Sequence, residues 1–495
     1  MKRQTRQYYP ILFLLFFICH TSQISAQFPA VSTEKKINDY VANVMERHEI
    51  PGVGLAIIKD GKVMHQKNYG YANLEHSVPI SDKSIFRVYS LTKLFVATGV
   101  FQLIEQNKLS LEDVISDYVS DLPATWNDVQ IKHLLTHSSG LPDMSPFYDF
   151  SDLSEKEAKE KVFAQPLQFP KGATYRYNQT NFWLLQLIIE KITQQPFEDF
   201  ILQNQFDKKV SSASRKAFFS SDSRDIIANR CTPYFCFRTG VLMIDHSYIG
   251  PYMHSSNGMN ITLNEYIAWD EKMRNNEIIS SESHQAMLSK FMYKNDDKKF
   301  TYGWKEQDVN GRTSYGFTGS LVTAYRIFPK ENLSIIFLSN GLGNIFDIED
   351  IVNYLAGLVS EELIIPESQM FETLLQASLK NNINGFKEVY LDLKKDKAYQ
   401  KIDFESQINS VGYMHLNLKK VDTAIRIFKL NIQEFPTQWN VYDSYAEALE
   451  SNGNIKEALA NYSKALKLNV NNQYDYNDGL TKKIKYLKEQ LEAEK

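Results

Sequence analysis

The 495-residue sequence predicts an α/β protein, an antiparallel sheet flanked by a helical region, followed by an all-α helical domain. Three observations carry this. β-rich runs occur in two distant places, residues 53–69 and 321–339, with a long and mostly helical stretch between them, so remote segments must close one sheet. From about residue 369, just past Pro366, the pattern turns wholly helical. Within that tail Ala424-Ile425 with Phe428 recurs 34 residues later as Ala458-Leu459 with Tyr462.

The elements follow in order. Residues 34–49 read as a helix that Pro51-Gly52 ends. Residues 53–59 are an apolar strand, Asp60-Gly61 a two-residue hairpin turn, and residues 62–69 the returning strand. Residues 90–290 are mostly helical, with loops rich in Pro, Ser and Asn. Strands resume over 321–328 and 333–339, joined by Pro329-Lys330-Glu331-Asn332, and a helix over 348–363 completes the first domain. The 34-residue offset beyond it is the tetratricopeptide period. Gly453-Asn454 breaks the paired helices, Pro436 follows the first repeat, and residues 371–394 read as a degenerate third pair. A helical hairpin that matches the period by chance is the competing reading. Such arrays need about three repeats to bury a core, so this one packs on the first domain or on a protein partner. The expected organisation is a leader over 1–26, a sheet-containing domain over 27–365 and the repeat domain over 370–495.

Bulk properties exclude some functions. A net charge of −4 with scattered Lys and Arg leaves no footprint for nucleic acid. Lys2, Arg3 and Arg6 precede an apolar run over 11–18, and Ser25-Ala26 offers a small-residue cleavage site before Gln27. That is a secretory signal, too short to span a bilayer, and it places the mature chain in the periplasm or outside the cell. Lipidation at Cys19 competes, but Ile18 is not the small residue such signals carry. Cys231 and Cys236 flank four residues; a small disulfide loop and two separate thiols are both open.

The chemistry centres on Ser90-Leu91-Thr92-Lys93. A lysine three residues after a serine lies one helical turn away on the same face, an amine beside a hydroxyl that needs one to become a nucleophile. Ser32-Thr33-Glu34-Lys35 has the same spacing, so context must discriminate. Ser32 sits in a polar stretch just after the leader. Ser90 follows the apolar Ile85-Phe86-Arg87-Val88-Tyr89 and opens a helical pattern with Leu94, Ala97, Phe101 and Ile104. Free backbone N–H groups at a helix start are what an oxyanion hole requires. A plain helix cap is the alternative role for Ser90.

Further segments, together with this motif, resemble the serine β-lactamase-like hydrolases, a family of class C β-lactamases, D-alanyl-D-alanine carboxypeptidases, D-aminopeptidases and esterases. They are Ile50-Pro51-Gly52-Val53-Gly54 with its hairpin, the stretch from Ile131 through His133, His137 and Gly140 to Pro142, Tyr177-Asn178-Gln179, Tyr302-Gly303-Trp304, Phe317-Thr318-Gly319 and Asn340. The resemblance covers roughly residues 35–365. It implies a β-lactamase/transpeptidase-like fold and an acyl-enzyme on Ser90, with Lys93 and Tyr177 handling its proton and no metal or organic cofactor. It also implies an oxyanion hole from the Ser90 and Ser320 N–H groups, and a third motif, Phe317, Thr318 and Gly319, on the edge strand lining the cleft, where Gly319 lets substrate approach. Tyr175 lies two residues from Tyr177, and a register slip would exchange them.

Two departures from the family pattern bear on activity. Gln179 stands where an asparagine is expected and carries its amide one methylene further out. Phe317 replaces a cationic or polar residue and offers a substrate carboxylate nothing. Penicillin hydrolysis and cleavage beside a free carboxylate are therefore disfavoured, and an ester, an amide or a D-amino peptide is favoured. The expectation is an exported serine hydrolase; a catalytically impaired peptide- or β-lactam-binding protein with a protein-interaction repeat domain is the alternative. His133 and His137 have helical metal-ligand spacing but belong to the family's structural segment, and Asp245-His246 could be read with Ser90 as a Ser-His-Asp set. Tyr315-Gly316-Phe317 either lines an apolar acyl pocket or packs within its strand.

Overall fold

The computed structural model describes residues 32–145, 153–206, 216–235, 241–320, 322–342 and 347–493. The expected leader over 1–26, with Cys19, and Cys236 lie outside them.

Helix α1 (Thr33–His48) opens with Ser32 as its cap, whose hydroxyl accepts the Lys35 N–H at 3.3 Å. The second Ser-x-x-Lys motif is thus a helix start and nothing more. Strands β1 (Gly52–Lys59) and β2 (Lys62–Asn73) form the expected hairpin. Both turn residues are left-handed, Asp60 at φ 52° and Gly61 at φ 73°, as a tight two-residue hairpin demands. A short β3 (Val78–Pro79) pairs with β2.

Helix α2 (Thr92–Glu105) carries Lys93 and α3 (Thr180–Thr193) follows the Tyr177 segment. Every residue from Thr92 to Leu103 is buried, so α2 is a central helix covered on all sides, wider in its apolar surface than the single stripe its sequence period suggested. Four strands complete the sheet: β4 (Lys305–Val309), β5 (Arg312–Gly319), β6 (Thr323–Phe328) and β7 (Leu333–Ser339). Their order is β3-β2-β1-β7-β6-β5-β4, and β1 pairs antiparallel with β7 from Val53↔Ser339 to Lys59↔Leu333. The two ends of the domain do close one sheet. The third motif lies on β5; β4 pairs outside that strand only over Arg312–Gly316, so at Phe317-Thr318-Gly319 β5 is itself the edge of the sheet. The β4–β5 turn is Asn310-Gly311, with both residues left-handed.

Alternation along β1 divides the core. Leu55 and Ile57 face α1 and α4 (Ile348–Val359), whereas Ala56 and Ile58 face α2 and the helical region. The expected helix over 348–363 is interrupted: Ser360 is extended and Glu361–Leu363 form a separate 3-10 turn.

Residues 371–394 are not a helix pair. They belong to one continuous 30-residue helix, α5 (Pro366–Lys395), with proline at its first position. Its start binds the back of the sheet domain through a buried ion pair, Arg47 Nη1 to Glu372 Oε2 at 2.8 Å. Further along, Phe386 and Tyr390 pack with Ile408 and Ile427 of the following helices, so α5 belongs to the core of the helical array while its start is ion-paired to the sheet domain. Its length lets it span them, since each residue adds about 1.5 Å.

Two helical hairpins follow, α6 (Phe404–Asn417) with α7 (Val421–Glu434) and α8 (Trp439–Ser451) with α9 (Ile455–Leu468), then a closing α10 (Asn477–Ala493). Ala424, Phe428, Ala458 and Tyr462 are all buried, as their 34-residue offset requires. Neighbouring units also bond at that offset: Tyr413 Oη donates to Glu447 Oε2 at 2.8 Å and Trp439 Nε1 to Gln473 Oε1 at 2.9 Å. Because α5 docks on the α1/α4 face, the helical array sits behind the sheet, away from α2. Among the described residues no helix is long and apolar enough to cross a membrane.

Candidate active site

Three chemistry-bearing side chains meet at the start of α2. Ser90 lies in a single 3-10 turn, Tyr89–Leu91, directly before the helix. Its Oγ is 2.7 Å from the Tyr177 hydroxyl and accepts from Lys93 Nζ at 3.4 Å. Tyr177, not Tyr175, reaches the serine. The Tyr175 ring turns instead toward Phe300, at 5.1 Å between centroids, and its backbone N–H is held by Asp296.

Burial sets the protonation of this group. Lys93 is 1% exposed, and desolvation drives its pKa well below the usual lysine range, with the charge of Asp143 opposing. Its amine donates to the Ser256 carbonyl at 2.7 Å and lies over the Tyr177 and Phe182 rings. Burial that disfavours the ammonium form makes this amine, within reach of Ser90 Oγ, the candidate acceptor for the serine proton. Tyr177 is pushed up to about 12, chiefly by burial, while the hydrogen bonds to Ser90 and Gln179 oppose. It is therefore a neutral phenol near pH 7. Its ring is wedged between His137 at 4.7 Å and Phe317 at 6.0 Å between centroids.

His137 holds the tyrosine segment. Its Nδ1 accepts the Asn178 backbone N–H at 3.1 Å, and burial above all holds its pKa well below the usual value. His133 Nδ1 accepts the Gln130 N–H, also at 3.1 Å. Both imidazoles thus have local structural partners. Asn178 is 2% exposed and donates to the Leu141 carbonyl, so it faces inward. Gln179 is half-buried, and its Oε1, itself buried, has no hydrogen-bond partner among the described residues.

Strand β5 delivers the other wall. Gly319 packs on the nucleophile turn: a Cβ there would collide with the Val88 carbonyl oxygen and with Thr323 Oγ1. The glycine is required for strand-to-turn contact. Thr323 Oγ1 also donates to that carbonyl at 3.1 Å, and exposed Ser320 follows at φ 47°. The β5 end is thereby stitched beside the start of α2, where the Ser90 N–H belongs to the unsatisfied set of a helix terminus. Thr318 pairs with Ala324 in the sheet. Phe317 is 8% exposed and packs on Tyr177 and Phe300, so it is strand packing rather than a pocket surface. Gly303 owes its place to Ala97: at φ 95° it lies where a Cβ would strike the Ala97 methyl, one turn past Lys93.

Asp245 does not join Ser90. It accepts from Ser247 Oγ at 2.9 Å and from the Tyr89 hydroxyl at 3.5 Å. Cys231 is buried, which pushes its thiol up to about 12. Sequence reasoning missed Ser256, which acts through a main-chain carbonyl and leaves no side-chain signal. It also missed Asp143, whose Oδ1 accepts the Gln179 N–H at 3.0 Å; its place directly after Leu141-Pro142 was the available signal.

This fold and constellation define the class, and the Beta-lactamase family model matches residues 37–356. The chain belongs to that family. Penicillin-binding protein 4* of Bacillus subtilis (strain 168) is 31% identical over 163 residues, 32% of this chain and 36% of the relative. The chain spans about a third of the length of the curated relatives it matches. Among solved structures, the octameric penicillin-binding protein homologue from Pyrococcus abyssi aligns with a TM-score of 0.57 at 22% identity, covering 68% of this chain and 80% of that one. The D-amino acid amidase from Ochrobactrum anthropi SV3 aligns at 0.54 with 16% identity, covering 66% and 99%. Both likenesses are likenesses of fold.

Proposed function

We propose that this chain is an exported serine hydrolase that cleaves an ester or amide through an acyl-enzyme on Ser90. The observation that carries the proposal is the contact of Ser90 Oγ with both the Tyr177 hydroxyl and a buried, charge-disfavoured Lys93 amine. Ser90 Oγ attacks the carbonyl carbon as its proton passes to Lys93, directly or through the Tyr177 hydroxyl. The oxyanion is held by the Ser90 and Ser320 N–H groups. The ammonium of Lys93 then protonates the leaving oxygen or nitrogen. Water repeats the sequence to release the acid, with Lys93 again taking the proton. No step calls for a metal or organic cofactor.

The choice of substrate follows from Phe317. No cation stands there to meet a substrate carboxylate, so efficient penicillin hydrolysis is not expected. Gln179 and Phe317 together also support the second reading, a protein that acylates once and stalls, or only binds peptide or β-lactam. The array behind the sheet supports tetratricopeptide-like repeats that engage a protein partner rather than cover the cleft. Removing helices α6–α10 should leave ester turnover unchanged; a large loss would tie the array to the chemistry. Export through a leader over 1–26 predicts that the secreted chain starts at Gln27, and N-terminal sequencing tests this.

The direct test is hydrolysis of a short-chain nitrophenyl ester beside a chromogenic cephalosporin, for the wild type and Ser90→Ala. Ester turnover that disappears in Ser90→Ala, with a much slower cephalosporin rate, is the expected result. Turnover that survives in Ser90→Ala contradicts the assignment. A single stoichiometric burst on Ser90 would select the second reading.

A further inference from the structure

We propose that Asp245 and Arg87 bracket the side chain of Tyr89, hold the nucleophile turn in its left-handed shape, and so act as positioning residues for Ser90. This deepens the hydrolase reading and rests on it.

Tyr89 stands directly before Ser90 at φ 48°, in the region that favours glycine. A tyrosine persists there only where its surroundings over-determine the conformation. The main chain is pinned on both sides of it. Thr323 Oγ1 donates to the Val88 carbonyl, and Thr92 Oγ1 donates to the Tyr89 carbonyl. The side chain has its own anchors. Its ring packs against the core on the α1/α4 side of the sheet, and the Arg87 guanidinium carbon lies 4.7 Å from the ring centroid.

Arg87 is 6% exposed, and its guanidinium is held through hydroxyls. Nη1 donates to Ser223 Oγ at 3.0 Å and to Ser247 Oγ at 3.4 Å. Both hydroxyls pass the contact on to Asp245 Oδ2, Ser247 at 2.9 Å and Ser223 at 3.4 Å. The Ser247 N–H fixes the other oxygen, Oδ1, at 2.8 Å. The Tyr89 hydroxyl reaches Oδ2 at 3.5 Å, which closes the ring from guanidinium to carboxylate to phenol. Arg230 Nη2 steadies the far side by donating to the Ser223 carbonyl at 2.9 Å.

Asp245 is thus the hub of the bracket. Without its carboxylate, two hydroxyls lose their acceptor and a buried guanidinium loses the charge that compensates it. Arg87 is then free to leave the Tyr89 ring, and the turn can relax toward an ordinary negative φ. Ser90 follows in the same turn, so its Oγ moves off the 2.7 Å contact with Tyr177 and the 3.4 Å contact with Lys93.

The test is a pair of double-mutant cycles on the intact protein. They are read as kcat and KM on the nitrophenyl ester and as the rate at which a fluorophosphonate labels Ser90. Asp245→Ala should lower kcat and the labelling rate by about tenfold or more with KM nearly unchanged, because a displaced nucleophile harms chemistry rather than binding. Glycine adopts the left-handed φ with no side chain to hold. In Tyr89→Gly, Asp245→Ala should therefore cost less than about twofold. A merely structural Asp245 would cost the same factor in both backgrounds, and that result would overturn the inference, as would full activity in Asp245→Ala. The second cycle does not need Tyr89→Gly to fold. Arg87→Met together with Asp245→Ala should lose no more than either change alone, and multiplying losses would overturn the inference. Labelling that follows this pattern without ester turnover in any variant would refute the hydrolase reading and keep the bracket. Ester turnover with multiplying losses would do the reverse.

Discussion

Gly319 and the carbonyl of Val88 touch so closely that no side chain fits between strand β5 and the turn that presents Ser90. The oxyanion wall and the nucleophile are thus one mechanical unit. Gly319→Ala must push them apart, and the predicted result is a fall in kcat of about a hundredfold or more, the loss expected when an oxyanion donor is misplaced. Far-ultraviolet circular dichroism should show the sheet retained. Activity close to wild type would mean that the turn yields without cost.

Tyr177→Phe removes the hydroxyl 2.7 Å from Ser90 Oγ. Loss of a positioned proton-transfer group predicts a fall of about 10²–10⁴ in kcat/KM on the nitrophenyl ester. Tyr175→Phe should have little effect, because that ring packs on Phe300 instead. Equal losses in both variants would undo the distinction between the two tyrosines.

The acid limb of the rate profile should belong to Lys93. Its pKa is lowered in the fold, so the active neutral amine is lost only when pH falls through that depressed value. Rate therefore rises with pH and levels off below the ordinary lysine range. Asp143 opposes the depression, and Asp143→Asn should move the limb to lower pH. Tyr177 stays protonated up to about 12 and adds no alkaline limb below that. A limb unmoved in Asp143→Asn would show that another group controls it.

Behind the sheet, Glu372→Gln should destabilise the protein by about 3 kcal/mol, because it leaves the buried Arg47 guanidinium without its carboxylate. Replacing both with apolar residues of similar size should recover most of that loss. Thermal unfolding of the two variants measures it; equal destabilisation would show that Arg47 and Glu372 are not energetically coupled.

Asp443 in α8 is raised to about 6, first by burial and then by the Glu447 charge. A carboxyl raised in the fold gives stability at low pH that is lost as pH rises from the ordinary carboxylate range through about 6. Asp443→Asn should therefore raise the melting temperature at pH 7 and have less effect at pH 4. A lower melting temperature at pH 7 would contradict this.

Much of this was legible in the sequence because the signals were local or periodic. Asp60-Gly61, the apolar run of β1 with the alternation of its return strand β2, and the 34-residue recurrence each fix an element by short-range rules. The β4–β5 hairpin was equally legible through Asn310-Gly311 and was overlooked, so the strand that covers the first half of β5 was missed. The single helix α5 was not legible as such: the repeat period led residues 371–394 to be read as a helix pair, and no proline or glycine cluster marks where one helix continues instead. At the site, Ser90, Lys93 and Tyr177 could be read because their side chains carry the signal. The Ser256 carbonyl and the Gly319–Val88 contact involve backbone atoms brought together by tertiary folding, and no side-chain pattern encodes them.

The central claim is a covalent bond at Ser90. Mixing the protein with a slowly deacylating nitrophenyl ester and quenching in acid for intact mass measurement tests it most directly. The account predicts one acyl group per chain, mapped to the peptide containing Ser90, transient in wild type and absent in Ser90→Ala. Nitrophenol release with no adduct at any time of quenching, or an adduct that persists in Ser90→Ala, would contradict it.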